Sequence, residues 1–383
     1  MQNTHSHSLR HPPLASPLAR VCLVVYLLVI GYASLYPLTG WHDAMSDPLS
    51  FINFRMPRYW TGFDLATNVL AYMPLGCFLV FALYPRWQKL AAVLLAVLAG
   101  GLLSASMECI QNYLPTRVPS SLDLLTNTTG CLLGALFGVW QTRAFLDHGY
   151  LHLMRKRWFS SEASRGLLAL GLWPMAQLYP QTFLFGHGQA MPLISERLSE
   201  LVGMPIDLHQ LMFYGGEISI YQFWLAEVVI TASGLCGAVL SMMWMLRSTA
   251  PRWRLVLYLI ATTLVAKSLA SALAFAPEQA FLWLTPGAQG GLVIGAFLLF
   301  GFSFAPNAAQ RRLAALMLLV SLVVVNLVPE NPYFNANLQA WTQGKFLNFN
   351  GAAQMLALLW PVFAIWSVWH PDQHFHAKAA PVR

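Results

Sequence analysis

Six amide and carboxylate side chains fall at helical spacing in the first third of the chain: Asp64 with Asn68, Glu108 with Gln111, and Asp123 with Asn127. Residues three or four apart share one face of a helix, so each pair forms a polar stripe. Arg117 lies in the short link between the second and third stripes. Three kinds of chemistry fit this set. Glu108 and Asp123 could act as acid and base if burial drove their proton affinities apart. The carboxylates and amides could line a binding site for a cationic or hydrogen-bonding headgroup, or for a hard cation on oxygen ligands. Or Arg117 could pair with Glu108 or Asp123 while the amides tie helices together. No nucleophile with an attached base, no glycine-rich phosphate loop and no zinc motif accompanies the carboxylates, which weakens the catalytic reading.

The elements that carry these residues are apolar. The chain of 383 residues is 57% hydrophobic and only 10% charged, where soluble domains average about 25% charged. Apolar runs of roughly 18 to 22 residues recur along it, each long enough to cross a bilayer. The expected fold is all-α: a polytopic transmembrane bundle of about ten helices. They fall near 21–38, 64–84, 90–112, 122–140, 166–185, 223–246, 255–275, 281–304, 313–328 and 349–369. The first run exceeds the apolar region of a cleaved signal and reads as an uncleaved helix. The expected organisation is a cytoplasmic tail (1–20), a four-helix membrane domain (21–142), a basic cytoplasmic linker (143–165), a six-helix membrane domain (166–370) and a second cytoplasmic tail (371–383). The five cysteines (Cys22, Cys77, Cys109, Cys131 and Cys236) are odd in number and hold no CxxC pair, so they argue for neither a disulfide framework nor a metal site. No cofactor is expected. The net charge of +7 needs no nucleic acid to explain it, because basic residues gather in the loops between spans and face anionic headgroups.

Those basic residues set the orientation. With both termini inside, the inner segments hold Arg10, Arg20, Arg86, Lys89, Arg143, Arg155, Lys156, Arg157, Arg165, Arg247, Arg252, Arg254, Arg311, Arg312, Lys378 and Arg383. The outer loops hold Arg55, Arg58, Arg117, Arg197 and Lys345. The excess on one side predicts a cytoplasmic N-terminus and C-terminus. On that topology Asp64, Asn68, Glu108, Gln111, Arg117, Asp123 and Asn127 all come to the outer face. Lipid cannot solvate such stripes, so they must face protein, water or a ligand. Gly130, Gly134 and Gly138 give the fourth helix a flat ridge for close helix packing. Glu227 and Lys267, on the sixth and seventh helices, fall at nearly matching depths and are expected to form an intramembrane ion pair. The outer segment 331–350 is rich in aromatics and amides, including Tyr333, Phe334, Trp341, Gln343, Asn348, Phe349 and Asn350. It suits an interfacial belt or sugar contact. The absence of an internal repeat weakens a transporter built from inverted halves.

The pattern Asp64-xxx-Asn68, Pro74-Leu75-Gly76, Glu108-xx-Gln111, Pro115-x-Arg117 and Ser121-x-Asp123-xxx-Asn127-xx-Gly130-xxx-Gly134 resembles the VanZ-like family over residues 21–140. The resemblance implies a multi-pass protein of the bacterial inner membrane with a cell-envelope role, and founding members are associated with resistance to the glycopeptide teicoplanin. It implies no catalytic residue. This chain carries about six further helices. The expected function is therefore an outward polar site that binds an envelope lipid, a glycan precursor or an exported polymer, with membrane lipids and a lipid-linked envelope precursor as partners. The alternatives are an enzyme acting on a lipid-linked sugar or peptide through Glu108 and Asp123, and a transporter or flippase.

Overall fold

A computed structural model describes residues 16–36, 38, 40–43, 47–53, 62–115, 117–146, 150–160, 163–179, 181–212, 218–274, 277–329 and 347–370. Among them the chain is helical, with no strand and one isolated bridge between Phe159 and Leu246. Contacts divide the chain at Arg155 and Lys156 into two compact units.

The first unit contains α1 (Pro17–Leu35), α2 (Gly62–Leu83), α3 (Lys89–Gln111) and α4 (Ser121–Phe145). Local chemistry fixes where they start. The Ser16 side chain accepts from the Ala19 amide ahead of a proline in the first turn of α1, and the Ser120 side chain accepts from the Leu122 amide at the start of α4. Both are ordinary N-caps for otherwise orphaned amides. Helix α4 packs between α2 and α3, and α1 packs against both of those. Small residues govern the packing. A Cβ on Gly130 would strike the Val69 carbonyl oxygen, and one on Gly134 the Met73 carbonyl oxygen. One on Gly138 would sit 3.2 Å from the Cys77 Cα. In return Gly76 of α2 abuts the Cys131 carbonyl of α4. The two helices therefore touch backbone to backbone along three turns, which supplies van der Waals attraction where lipid offers no hydrophobic drive. On α3 the buried residues Ala92, Ala96, Gly100, Ser104 and Glu108 form one stripe at four-residue intervals, and the Cys131 thiol donates to the Ala96 carbonyl at 3.3 Å.

Helix α5 (Tyr150–Trp158) lies where a basic linker is expected. The second unit holds α6 (Ser164–Ala176), α7 (Met191–Val202), α8 (Leu208–Met212), α9 (Ile220–Met243), α10 (Arg252–Ala274), α11 (Pro286–Phe302), α12 (Asn307–Leu327) and α13 (Leu347–Trp369). Helix α9 is the centre, buried along most of its length and packed by α11 and α12. Among the described residues, seven helices are long and apolar enough to cross a membrane: α1, α2, α3, α4, α9, α10 and α12. Helix α11 and the Ala353–Trp369 part of α13 are shorter apolar helices.

The expected helix over 166–185 is a departure. Helix α6 ends at Ala176, two residues after Pro174. The residue before a proline avoids helical backbone, and Pro180 follows in the sequence. The chain from Gln181 to Gly188 is irregular yet mostly buried. The end of this stretch and the chain just after it are bonded inside the protein. Asn326 Oδ1 accepts from the Ala190 and Met191 amides at 2.7 and 3.1 Å, Asn326 Nδ2 donates to the Gly188 carbonyl at 2.8 Å, and the Gly188 amide donates to the Ala357 carbonyl at 3.0 Å. Non-helical backbone among apolar helices is tolerable only when protein covers it in this way. The stretch left between the expected helices 166–185 and 223–246 contains α7 and α8. Of the aromatic-amide segment 331–350, residues 331–346 lie outside the described residues, as do the side chains of Asn348, Phe349 and Asn350.

Candidate functional site

At one end of the first unit, the start of α2, the end of α3, the start of α4 and the end of α1 meet. Glu108, in the last turn of α3, is 3% exposed. Its Oε2 accepts from the Ser120 amide at 2.8 Å, so a carboxylate closes the α3–α4 link by capping the next helix. A carboxylate at a helix N-terminus also sits favourably against the helix dipole. One turn deeper, Asn127 Nδ2 donates to Ser104 Oγ at 3.0 Å. Across α2 and α4, Asn68 Nδ2 donates to Asp123 Oδ1 at 2.9 Å. The polar stripes of α2, α3 and α4 thus face one another in pairs.

The structure joins Gln111 and Arg117 to α1. Gln111 Nε2 donates to the Ser34 carbonyl at 2.8 Å. Arg117 Nη2 donates to the Ala33 and Tyr36 carbonyls at 3.3 and 2.7 Å. These are last-turn acceptors with no partner inside the helix, and a cation there also meets the negative end of the dipole. Instead of the pair with Glu108 or Asp123 that one of the three readings offers, the guanidinium caps α1. Both carboxylates still act on it electrostatically. Burial pushes Arg117 below its ordinary proton affinity, and Glu108 and then Asp123 pull it back up. Asp64 sits exposed at the rim.

Tyr72 belongs to this cluster although its motif does not reveal it. It is 4% exposed and its hydroxyl lies near Ser104 and Glu108. The signal was its place four residues after Asn68 on the same face. The Tyr72 hydroxyl, Asn127 Oδ1 and Arg117 Nε are buried without a hydrogen-bond partner among the described residues. Arg117 also lines a pocket of about 350 Å³ together with Ser50, Phe51, Asn112, Val118, Pro119 and Ser121. No group of three or more metal-ligating side chains occurs among the described residues.

Glu227 and Lys267 of the second unit do not form the expected ion pair. Glu227 accepts from the Thr285 hydroxyl, ahead of α11. Lys267, 2% exposed, donates to the Gln181 carbonyl at 3.3 Å, in the irregular chain after α6. The broken helix supplies Lys267 with a backbone acceptor, which depth-matching along ideal helices cannot anticipate. Coupling between them should be weak. In a double-mutant cycle of Glu227→Gln and Lys267→Met, read by thermal unfolding in detergent, the interaction energy should stay under about 0.5 kcal/mol. A coupling of several times that value would restore the ion pair.

The fold and this end together define a multi-pass helical membrane protein with a polar cluster at one end of its first unit. Residues 21–141 match the family model described as VanZ/LLP1. No curated protein and no solved structure matches the chain. The protein is thus VanZ-like over its first unit and carries an additional C-terminal region.

Proposed function

We propose that this VanZ-like protein serves the cell envelope of a bacterial inner membrane, and that the polar end of its first unit binds the headgroup of an envelope lipid, a glycan precursor or an exported polymer. On the proposed topology that end faces outward. The observation that carries the reading is the pocket over Arg117. Its wall includes the half-buried Arg117, whose Nε has no hydrogen-bond partner among the described residues, beside serine and asparagine side chains that can donate and accept. A purely structural tie needs no opening of this size. Glu108, Asp123, Asn68 and Asn127 hold the helix ends that form the pocket and so position it. Gln111 ties this end to α1, and Asp64, exposed near the start of α2, is proposed to contribute to recognition.

The test is native mass spectrometry of the protein purified from its own membrane, wild type beside Val118→Trp. Val118 is 81% exposed and lines the pocket, so the larger ring fills the opening without disturbing the core. A lipid or glycolipid retained by the wild type should be lost from the variant. Equal retention in a variant of unchanged melting temperature would overturn the reading. Turnover of a lipid-linked sugar, lost in Glu108→Gln, would replace binding by catalysis.

A further inference from the structure

The second unit has a cationic end. Arg247 Nε donates to the Phe159 carbonyl at 3.0 Å, Arg165 Nη1 to the His370 carbonyl at 3.2 Å, and Arg311 to the Val368 and Trp369 carbonyls at 2.7 and 2.8 Å. These bonds bring the end of α9, the start of α6, the start of α12 and the end of α13 to one level, and α10 begins at Arg252 just after α9 ends. No described residue of these chain ends is acidic.

A groove of about 520 Å³ runs from this end between α12 and α13. Arg311 and Arg312 line its mouth, and Ala315, Leu316, Leu319 and Ile365 line its length. Arg311 is occupied: besides its carbonyl bonds, it lies 5.6 Å from the Trp244 ring centroid. Arg312 is exposed and has no hydrogen-bond or ion-pair partner among the described residues. Leu316 and Leu319 are 50% and 48% exposed, so no described residue covers the apolar part of the groove.

Charge and polarity together select the occupant. A soluble anion would satisfy Arg312 and leave Leu316 and Leu319 bare. A zwitterionic lipid would cover the leucines but bring its own ammonium toward a cationic mouth. A molecule with a net negative headgroup and an apolar tail satisfies both ends, since each basic residue near a membrane surface favours anionic lipid. We propose that the α12–α13 groove binds one anionic phospholipid, with its phosphate on Arg312 and one acyl chain along Ala315, Leu316, Leu319 and Ile365. This site is separate from the pocket over Arg117.

The experiment titrates the full-length protein in detergent with phosphatidylglycerol or phosphatidylcholine of identical chains and reads bound lipid by native mass spectrometry. Wild type should retain phosphatidylglycerol in preference to phosphatidylcholine. Arg312→Gln should lower phosphatidylglycerol retention about fivefold, the change expected for one basic contact at an anionic surface, and leave phosphatidylcholine unchanged. Leu316→Trp, which fills the groove, should lower retention of both. In a Val118→Trp background, which fills the other pocket, Arg312→Gln should still lower phosphatidylglycerol retention by the same factor, which separates this site from that one. Equal retention of the two lipids by wild type would overturn the proposal. So would undiminished phosphatidylglycerol on Arg312→Gln, or, if that variant fails to fold, on Leu316→Trp.

Discussion

Replacing Gly134 by alanine should destabilise the first unit by about 3 kcal/mol or more, because even one added carbon has nowhere to go. The new Cβ would strike the Met73 carbonyl oxygen and lie 2.6 and 2.8 Å from the Met73 C and Cα atoms. Those are backbone atoms of a neighbouring helix, so no rotamer change relieves the clash. Helix α4 must move away from α2. The contacts at Gly130 and Gly76 lie on the same seam and loosen with it. The loss also reaches the polar end, since the Asn68–Asp123 bond spans the same two helices. Thermal unfolding in detergent reads the effect. Gly31→Ala is the control: nothing lies within 4 Å of a Cβ built there, and a helical glycine exchanged for alanine gains helix propensity. That variant should melt at or slightly above the wild-type temperature. An unshifted melt for Gly134→Ala would mean that α2 and α4 do not share this seam.

The polar stripes were legible because helical periodicity converts sequence spacing directly into shared faces. Asn68, Asp123 and Asn127 could be placed at one level before any coordinates. The glycine ridge was legible for the same reason, although its partner was not, because any helix can lie on a flat face. What stayed hidden were the backbone acceptors. Arg117 and Gln111 bond to carbonyls of Ala33, Ser34 and Tyr36, and every residue owns a carbonyl, so none stands out in a sequence. A charged residue invites pairing with another charge by inspection, while the physics equally favours a helix C-terminus.

The same blindness explains Lys267. Matching it to Glu227 assumed unbroken helices and a charged partner, whereas its acceptor is the Gln181 carbonyl in the irregular chain after α6. The break near Pro174 was signalled by proline, but membrane helices often absorb prolines, as α2 does at Pro74 and α13 at Pro361. What distinguishes α6 is a covering layer assembled from distant parts of the chain. Asn326 and Ala357 supply the bonds that its continuation lacks. Such long-range compensation has no local signature.

Glu108 offers the sharpest separation of a structural from a chemical role. Glu108→Leu keeps the side-chain bulk but removes the acceptor of the Ser120 amide, leaving that N–H without its capping bond and the α3–α4 link without its clasp. Leaving a buried N–H without its partner costs about 1 to 3 kcal/mol. Glu108→Gln keeps an oxygen for Ser120 and replaces the carboxyl group by an amide of the same shape, so it should remain within about 1 kcal/mol of wild type. The two substitutions should therefore diverge in thermal unfolding, with leucine low and glutamine near native. Equal stability for both would mean that the Ser120 bond contributes little. With the fold of Glu108→Gln preserved, ligand retention in that variant then reports the carboxyl group alone. Retention at the wild-type level would assign Glu108 to holding the helix end, and Arg117 with the pocket wall to the contact. Loss of retention without loss of stability would place the carboxyl group itself in recognition, which a helix clasp alone does not require.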